Sequence, residues 1–158
     1  MPAPPGFPAS LGPSNLLYHY YNVNRDLGCA DPDAVSQGLI NNPTPGNTSP
    51  ATPNGTPNNA VVPFLPFDNL VTSYLTTDVN TGAPLVVNMT GPGSLFGAGY
   101  VARYVNGGKA YTIGEGTNAI QSPLVLSGLI QYAADEALWG RQMSSIISGA
   151  KSKCGCGH

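Results

Sequence analysis

The sequence is poor in charge. Only 9% of its 158 residues are Asp, Glu, Lys or Arg, whereas ordinary globular domains contain about 25%. The six Lys and Arg residues are scattered, and with eight Asp and Glu they give a net charge of −2. No basic patch able to neutralise several nucleic-acid phosphates can be assembled from them. The composition therefore argues against a nucleic-acid-binding role, and solubility must come from Asn, Thr, Ser and Gln.

Long apolar runs and a disulfide framework are also missing. Runs such as residues 60–65 and 123–126 fall far short of the roughly 20 apolar residues of a membrane-spanning helix. We therefore expect no membrane span. The first residues have neither the basic nor the apolar region of a signal peptide, so we expect synthesis in the cytoplasm. Cys29, Cys154 and Cys156 cannot all pair within one chain and are too few for a disulfide scaffold.

The apolar residues that are present, 41% of the chain, suffice for one small core. Residues 1–13 are predicted to form an extended arm, because proline fixes φ and removes amide donors. Residues 14–40 hold short elements, and residues 41–59 form a long Asn, Pro and Thr-rich loop. Residues 60–150 are predicted to be the core domain, and residues 151–158 a tail of Cys and Gly.

Two short elements are expected before the long loop. Residues 16–24, with three tyrosines, are compatible with an aromatic strand or with one helical segment, because their alternation supports neither firmly. Asp33 is placed to cap a short helix that runs to Gly38.

Two β-hairpins are predicted in the second half of the chain. Residues 70–76 alternate in polarity and are expected to pair with residues 85–90 across an Asn-Thr-Gly-Ala turn. Residues 100–105 are expected to pair with residues 110–113. Their connection is predicted to be the three-residue loop 106–108, in which glycines supply the positive φ that a tight hairpin needs.

A C-terminal helix is predicted after Ser122, which serves as an N-cap with Pro123 in the first helical position. Apolar residues recur at helical spacing over residues 126–147, and Gly149 is the predicted stop. Gly140 is expected to mark a kink or a break into two helices. Strands followed by a helix predict an α+β fold, with a small antiparallel sheet of about four strands and the C-terminal helix packed on one face.

Arg103 is the most informative residue of the predicted sheet. In a strand it shares one face with Val101 and Val105. A charged side chain on such an apolar face requires a structural or a functional explanation. With a three-residue hairpin loop, Glu115 falls on that same face. The functional hypothesis is a cleft in which Arg103 clamps an anion and Glu115 acts as general base. The alternatives are a structural ion pair, or an arginine reaching solvent at a sheet edge beside a solvated glutamate.

The tail offers two thiolates and an imidazole at alternating positions, namely Cys154, Cys156 and His158. These are ligands suited to Zn²⁺ or Cu(I), and Cys29 is a further candidate ligand. The spacing differs from that of a structural zinc knuckle, so a tail without metal is the alternative. His19, which lies among tyrosines, is interpreted as a packed aromatic neighbour rather than a ligand.

A series of motifs runs from residue 69 to the C-terminal helix. The most specific are Tyr100-Val-Ala-Arg103 and Gly114-Glu-Gly116, accompanied by segments such as Val87-Asn-Met-Thr and Leu138-Trp-Gly-Arg-Gln. Together they resemble a small domain found at the C-termini of bacterial polymorphic (Rhs-type) toxins and related standalone effectors. The resemblance covers about half of the chain. Where that family commonly has histidines, this chain has Ser94 and Gly97. Either the family's chemistry is lost here or Ser94 contributes to it differently.

The resemblance implies an effector of interbacterial competition that is exported by a dedicated secretion system and neutralised by an immunity protein. Its reaction would be a hydrolysis or a transfer, and Ser94 joins Arg103 and Glu115 as a candidate catalytic residue. The rival hypothesis is a non-enzymatic coat, decoration or filament subunit that assembles with copies of itself. Few charges and ample Asn, Thr and Gly suit surfaces that are buried between copies.

Overall fold

Six β-strands and two α-helices are present in the computed structural model, which describes residues 14–46, 49–61, 69–91, 98–117 and 136–153. The strands are β1 (Tyr18–Asp26), β2 (Thr56–Asn59), β3 (Leu70–Thr77), β4 (Pro84–Thr90), β5 (Ala98–Asn106) and β6 (Lys109–Thr117). The helices are α1 (Pro32–Asn41) and α2 (Arg141–Lys153), and a π-helical turn at Glu136–Gly140 leads directly into α2.

All six strands belong to one antiparallel sheet with the order β1-β6-β5-β4-β3-β2. The α+β class, the antiparallel sheet and the C-terminal helix are confirmed, but the described part of the sheet has six strands rather than about four. Residues 16–24, which fitted a strand or a helix, contain most of β1, and the loop segment 41–59 contributes β2. Both added strands lie at the edges of the sheet. An edge strand has a neighbouring strand on one side only, so its alternation of polar and apolar residues predicts a strand less clearly than that of a central strand.

The helices cover one face of the sheet, which we call the inner face. Across it, Val23, Thr112, Arg103 and Val86 lie directly opposite one another on β1, β6, β5 and β4. The main apolar core lies between this face and the two helices. Its buried members are Val23, Leu27, Ala30, Val35, Leu39, Val105, Ala110, Met143, Ile147 and Ala150.

Helix α1 begins earlier and ends later than its sequence predicts. The N-cap is Asp31 rather than Asp33, because the Asp31 carboxylate accepts a hydrogen bond from the Asp33 amide at 3.1 Å and Pro32 occupies the first turn. The helix continues through Gly38 to Asn41. Gly38 lies inside the helix because Ile146 of α2 packs against it so closely that a methyl group there would collide.

The C-terminal helix is confirmed from Arg141 onward, while the predicted start at Ser122 lies outside the described residues. The break expected at Gly140 is present, since the π-helical turn ends there and α2 begins. A side chain at Gly140 would collide with Glu136 and Arg25, which form an ion pair. The predicted stop at Gly149 is wrong, because α2 continues to Lys153.

The β5–β6 hairpin turns on two residues, not three. Asn106 pairs with Lys109, and Gly107 and Gly108 have φ values of 54° and 76°. Positive φ at both central positions defines a type I′ turn, whose backbone twist matches the twist of the two strands that it joins. The predicted loop 106–108 is therefore wrong by one residue. Side chains of a strand alternate between the two faces of the sheet. With the register shifted by one residue, every β6 side chain lies on the face opposite to the one expected.

We expect Gly108→Ala to lower the free energy of unfolding by about 1 kcal/mol, because a side chain disfavours positive φ. Gly149→Ala, in the middle of α2 with open space around it, should raise it by about 0.5–1 kcal/mol through helix propensity. Urea denaturation of both variants measures the difference. Changes of the same sign in the two variants would contradict the two-residue turn.

Candidate functional site

Arg103 is buried in the centre of the inner face, with 0% of its surface exposed. Its Nε donates to the Thr112 hydroxyl at 3.2 Å. Its Nη1 donates to the carbonyl oxygens of Asn42 at 2.7 Å and Pro43 at 3.2 Å. The guanidinium carbon lies 5.1 Å from the centre of the Trp139 ring, a cation–π distance. These contacts hold the end of α1 against the sheet.

The turn after α1 receives donors from three separate elements. Besides Arg103, the Asn88 side chain on β4 donates to the Pro43 carbonyl at 2.9 Å. The Gln142 side chain on α2 donates to the carbonyls of Asn42 at 3.3 Å and Thr44 at 2.7 Å. We call Asn88, Arg103 and Gln142 the carbonyl clamp. Carbonyls at the end of a helix have no partner within it and carry its negative dipole, so cationic and amide donors satisfy them.

Burial lowers the pKa of Arg103 to about 9, which still leaves the guanidinium charged at neutral pH. Its Nη2 is buried without a hydrogen-bond acceptor, and no carboxylate among the described residues forms an ion pair with it. The predicted cleft with Glu115 is wrong, because the two side chains lie on opposite faces of the sheet. The alternatives of an ion pair and of a solvated edge arginine are also not formed in the described part.

Glu115 lies on the outer face of β6, between two tyrosines of the neighbouring strands. Its carboxylate accepts a hydrogen bond from the Tyr18 hydroxyl at 3.1 Å and from the Tyr100 hydroxyl at 2.7 Å. Tyr20 on β1 is directly opposite Glu115 and is 48% exposed. We call Tyr18, Tyr20, Tyr100 and Glu115 the tyrosine–glutamate cluster.

The cluster combines an acceptor with donors that stay protonated. Burial, followed by the charge and the hydrogen bond of Glu115, raises the pKa of Tyr18 to about 12. Burial, the hydrogen bond and the charge of Glu115 raise the pKa of Tyr100 as well. At neutral pH both phenols therefore donate. Each carboxylate oxygen has further acceptor capacity, so Glu115 can also receive a proton or a hydrogen bond from an added hydroxyl or amine.

The glycines around Glu115 have a packing role. Gly114 and Gly116 lie on the inner face of β6, directly across from Tyr21 and His19 of β1. A methyl group at Gly114 would collide with the Tyr21 ring, and one at Gly116 would lie 2.9 Å from the His19 ring. The segment is thus part of a central strand, and the rings of Tyr21 and His19 pack across its glycines. His19 is 6% exposed, which confirms it as a packed neighbour, and burial lowers its pKa.

A buried ladder of polar side chains is the feature that sequence reasoning missed. The Asn58 side chain donates to the Ser73 hydroxyl at 2.7 Å, and that hydroxyl donates to the Asn88 side chain at 2.6 Å. Asn88 then joins the carbonyl clamp. The ladder explains how β2 is held without an apolar anchor. Polar residues at inward-facing positions of the predicted hairpin, Ser73 and Asn88, were its only signal.

Ser94 and the proposed metal ligands Cys154, Cys156 and His158 lie outside the described residues. Cys29 is exposed and disulfide-bonded, so in this state it offers no thiolate to a metal. Within the described ranges, no group of three or more His, Cys, Asp and Glu is arranged to hold a metal ion. Nor does any helix in those ranges have the length and apolarity to cross a membrane.

We expect Arg103→Met to lower the free energy of unfolding by about 3 kcal/mol, because the carbonyls of Asn42 and Pro43 lose their charged donor and keep only the amide donors Gln142 and Asn88. Arg141→Met, at an exposed position on the first turn of α2, is the matched control and should change it by less than about 0.5 kcal/mol. Chemical denaturation measures both. Equal stabilities would show that the carbonyl clamp does not hold the helix end.

Alkaline titration tests the tyrosine–glutamate cluster. The pKa of Tyr18 is raised above its ordinary value near 10, so its contribution to stability is present below pH 10 and is lost as pH rises through about 12. In Glu115→Gln the pKa of Tyr18 should fall toward 10, because the carboxylate charge is gone while burial remains. Phenolate absorbance in the ultraviolet measures this. Asp26→Asn is the control, and an identical titration in all three proteins would contradict the cluster.

Comparisons with known proteins were made for the whole chain. No protein-family model, curated protein or solved structure matches it. The functional interpretation of the tyrosine–glutamate cluster therefore rests on the geometry described above and on the resemblance of its motifs.

Proposed function

We propose that this chain is a toxin-like effector domain of interbacterial competition that acts through the tyrosine–glutamate cluster. The observation that carries the proposal is the half-buried Glu115 carboxylate, held between two phenol donors on the outer face. The two most specific motifs of the resemblance, residues 100–103 and 114–116, are neighbours on β5 and β6, and each contributes a member of the cluster. Arg103 is left as a positioning residue that fixes β5 from the inner face.

The connection that carries Ser94 begins and ends beside this cluster. It follows Gly91 and leads into β5, where Gly99 lies opposite Gly116 and next to the Tyr100–Glu115 pair. Its two ends are tied together, because the Gly99 amide donates to the Thr90 hydroxyl at 2.8 Å and that hydroxyl donates to the Gly99 carbonyl at 3.0 Å. The position of Thr90 and Gly99 beside Tyr100 and Glu115 supports the proposal that Ser94, which lies outside the described residues, is a partner of Glu115.

The chemistry that suits these groups is hydrolysis or group transfer. Glu115 would accept the proton of an attacking hydroxyl, either water or the Ser94 side chain, as general base. Tyr18 and Tyr100 each donate their single hydroxyl proton to the Glu115 carboxylate and so orient it toward the attacking group. The proposal includes a cognate immunity protein and export by a dedicated secretion system as its biological partners.

Growth of a bacterial host tests this function. Expression without an immunity partner, in the cytoplasm or directed to the periplasm, is expected to slow growth in at least one compartment. Glu115→Gln should relieve the defect, because the amide cannot accept the proton, whereas Asp26→Asn should remain toxic. Thermal unfolding of each variant verifies the fold. A parent protein harmless in both compartments, or a Glu115→Gln variant as toxic as the parent, would contradict the proposal.

A self-assembling structural subunit is the second candidate, and one observation favours it. Three large apolar side chains are exposed: Leu16 before β1 at 81%, Leu70 on β3 at 59% and Val79 between β3 and β4 at 86%. Such groups on a chain with 9% charged residues suit burial between copies. Size-exclusion chromatography and electron microscopy separate the two candidates. Regular polymers would favour the subunit, and a monomer that binds a small partner protein would favour the effector.

A further inference from the structure

We propose that the substrate of the tyrosine–glutamate cluster is an uncharged oligosaccharide, which lies along the outer face of β1 and β6. The residues that hold it form a row beside Glu115, and we call them the tyrosine–asparagine strip: Tyr20, Asn22, Asn24, Tyr104 and Tyr111. This inference rests on the proposed function, because Glu115 is the reacting group in both. Binding to the strip can be measured without any reaction.

Strand pairing sets the layout of the strip. Alternate residues of β1 from Tyr20 to Asn24 share the outer face, because strand side chains alternate. Tyr20 is directly opposite Glu115, and Asn24 is directly opposite Tyr111 on β6. At the rise of an extended strand, the strip runs about 13 Å from Tyr20 to Asn24. It is therefore long enough for more than one sugar ring, and it begins beside the carboxylate.

Aromatic rings lie at both ends of the strip. Tyr20 is the exposed ring beside Glu115. At the other end, Tyr104 and Tyr111 are half-buried and stacked, with ring centres 5.0 Å apart and planes inclined by 12°. The face of an aromatic ring is negative, so it attracts the slightly positive C–H groups on one side of a sugar ring. Two such surfaces suit successive rings of a sugar chain.

Amide side chains lie between the aromatic rings. Asn22 is exposed and Asn24 is partly exposed on the surface of β1. Each amide offers two N–H donors and an acceptor oxygen, and a sugar hydroxyl both donates and accepts. Neighbouring hydroxyls of one sugar ring can therefore use both sides of an Asn side chain.

The phenols of the strip add further neutral donors. Burial, followed by the nearby phenols of Tyr111 and Tyr20, raises the pKa of Tyr104 above its ordinary value. Its hydroxyl is therefore protonated at neutral pH. The strip thus offers hydrogen bonds without a net charge of its own.

The charges of the outer face argue against anionic ligands. Nucleobases also stack on tyrosine rings, but their phosphates need cationic partners. Among the described strands, the one cation on this face is Lys109, and its ammonium group is paired with the Asp26 carboxylate at 3.0 Å. Glu115 adds a negative charge that repels anions. A neutral ligand is the one that these charges favour.

A proline-rich peptide is the other neutral ligand that docks on aromatic side chains. Proline has no N–H group, so such a peptide would present only carbonyl acceptors to Asn22 and Asn24. The amide oxygens of the strip would then have no donor from the ligand. The two exposed amides therefore favour a sugar, whose hydroxyls satisfy both sides of each amide.

Saturation-transfer NMR on the full chain tests the inference. The probes are the uncharged sugars chitotetraose, cellotetraose and maltotetraose, and a polyproline peptide. We expect transfer to the ring protons of at least one sugar and none to the peptide. Titration with that sugar gives its Kd. Tyr20→Ala should raise the Kd about tenfold, because a stacking surface is lost, and Asn22→Ala about fivefold, because hydrogen bonds are lost.

Tyr74→Ala is the matched control. Tyr74 is also an exposed tyrosine on the outer face, but it lies on β3, four strands away from β1 and about 19 Å from the strip. The Kd of this variant should equal that of the parent protein. Thermal unfolding of all three variants verifies that each is folded under the conditions of the titration.

The result also separates this inference from the proposed function. Absence of transfer to all three sugars, a Tyr20→Ala variant that binds as tightly as the parent, or transfer to the peptide that Tyr20→Ala abolishes would overturn the inference. A parent protein that is toxic but binds no sugar would contradict the inference alone. A harmless parent whose sugar binding depends on Tyr20 would contradict the proposed function and support the binding strip.

Discussion

The burial of one guanidinium group at the end of a helix is the constraint on which the rest of this structure depends. A charged side chain withdrawn from water costs several kcal/mol unless its donors are satisfied. Arg103 meets this requirement at Nε and Nη1, through Thr112 and the carbonyl oxygens of residues 42 and 43, while its Nη2 has no acceptor. Helix α1, the turn after it and strands β5 and β6 must therefore be in place together. Asn88 and Gln142 extend the same requirement to β4 and α2.

A chain with so few charges organises its interior with amides and hydroxyls instead. The ladder from Asn58 through Ser73 to Asn88 ends on the Pro43 carbonyl, which Arg103 also contacts. Neutral hydrogen bonds of this kind contribute only about 1 kcal/mol each, but a broken one leaves a buried group unsatisfied at greater cost. The network thus makes the Asn, Pro and Thr-rich segment part of the fold, although that segment has almost nothing apolar with which to anchor itself.

The structural residues and the candidate functional residues lie on opposite faces of the sheet. The inner face holds Arg103, His19 and the ladder, each committed to packing or to backbone carbonyls. The outer face holds Glu115 with its two tyrosine donors and the exposed Tyr20. The motifs that resemble a toxin domain therefore combine two kinds of residue. Arg103 keeps the strands in position, and Glu115 on the neighbouring strand is the group to which we assign the chemistry in the proposed function.

The sequence by itself determined the local elements: both hairpin strand pairs, the helix after Gly140 and the inward position of Arg103 follow from alternation, helical spacing and glycine. Only the tertiary structure decided which side chains meet. A hairpin loop of two residues rather than three moves Glu115 to the other face, because strand side chains alternate at every residue. Likewise β2 forms because β3 pairs with its backbone and Ser73 accepts the hydrogen bond of the Asn58 side chain. Such pairings join residues far apart in the chain, and no local pattern encodes the partner.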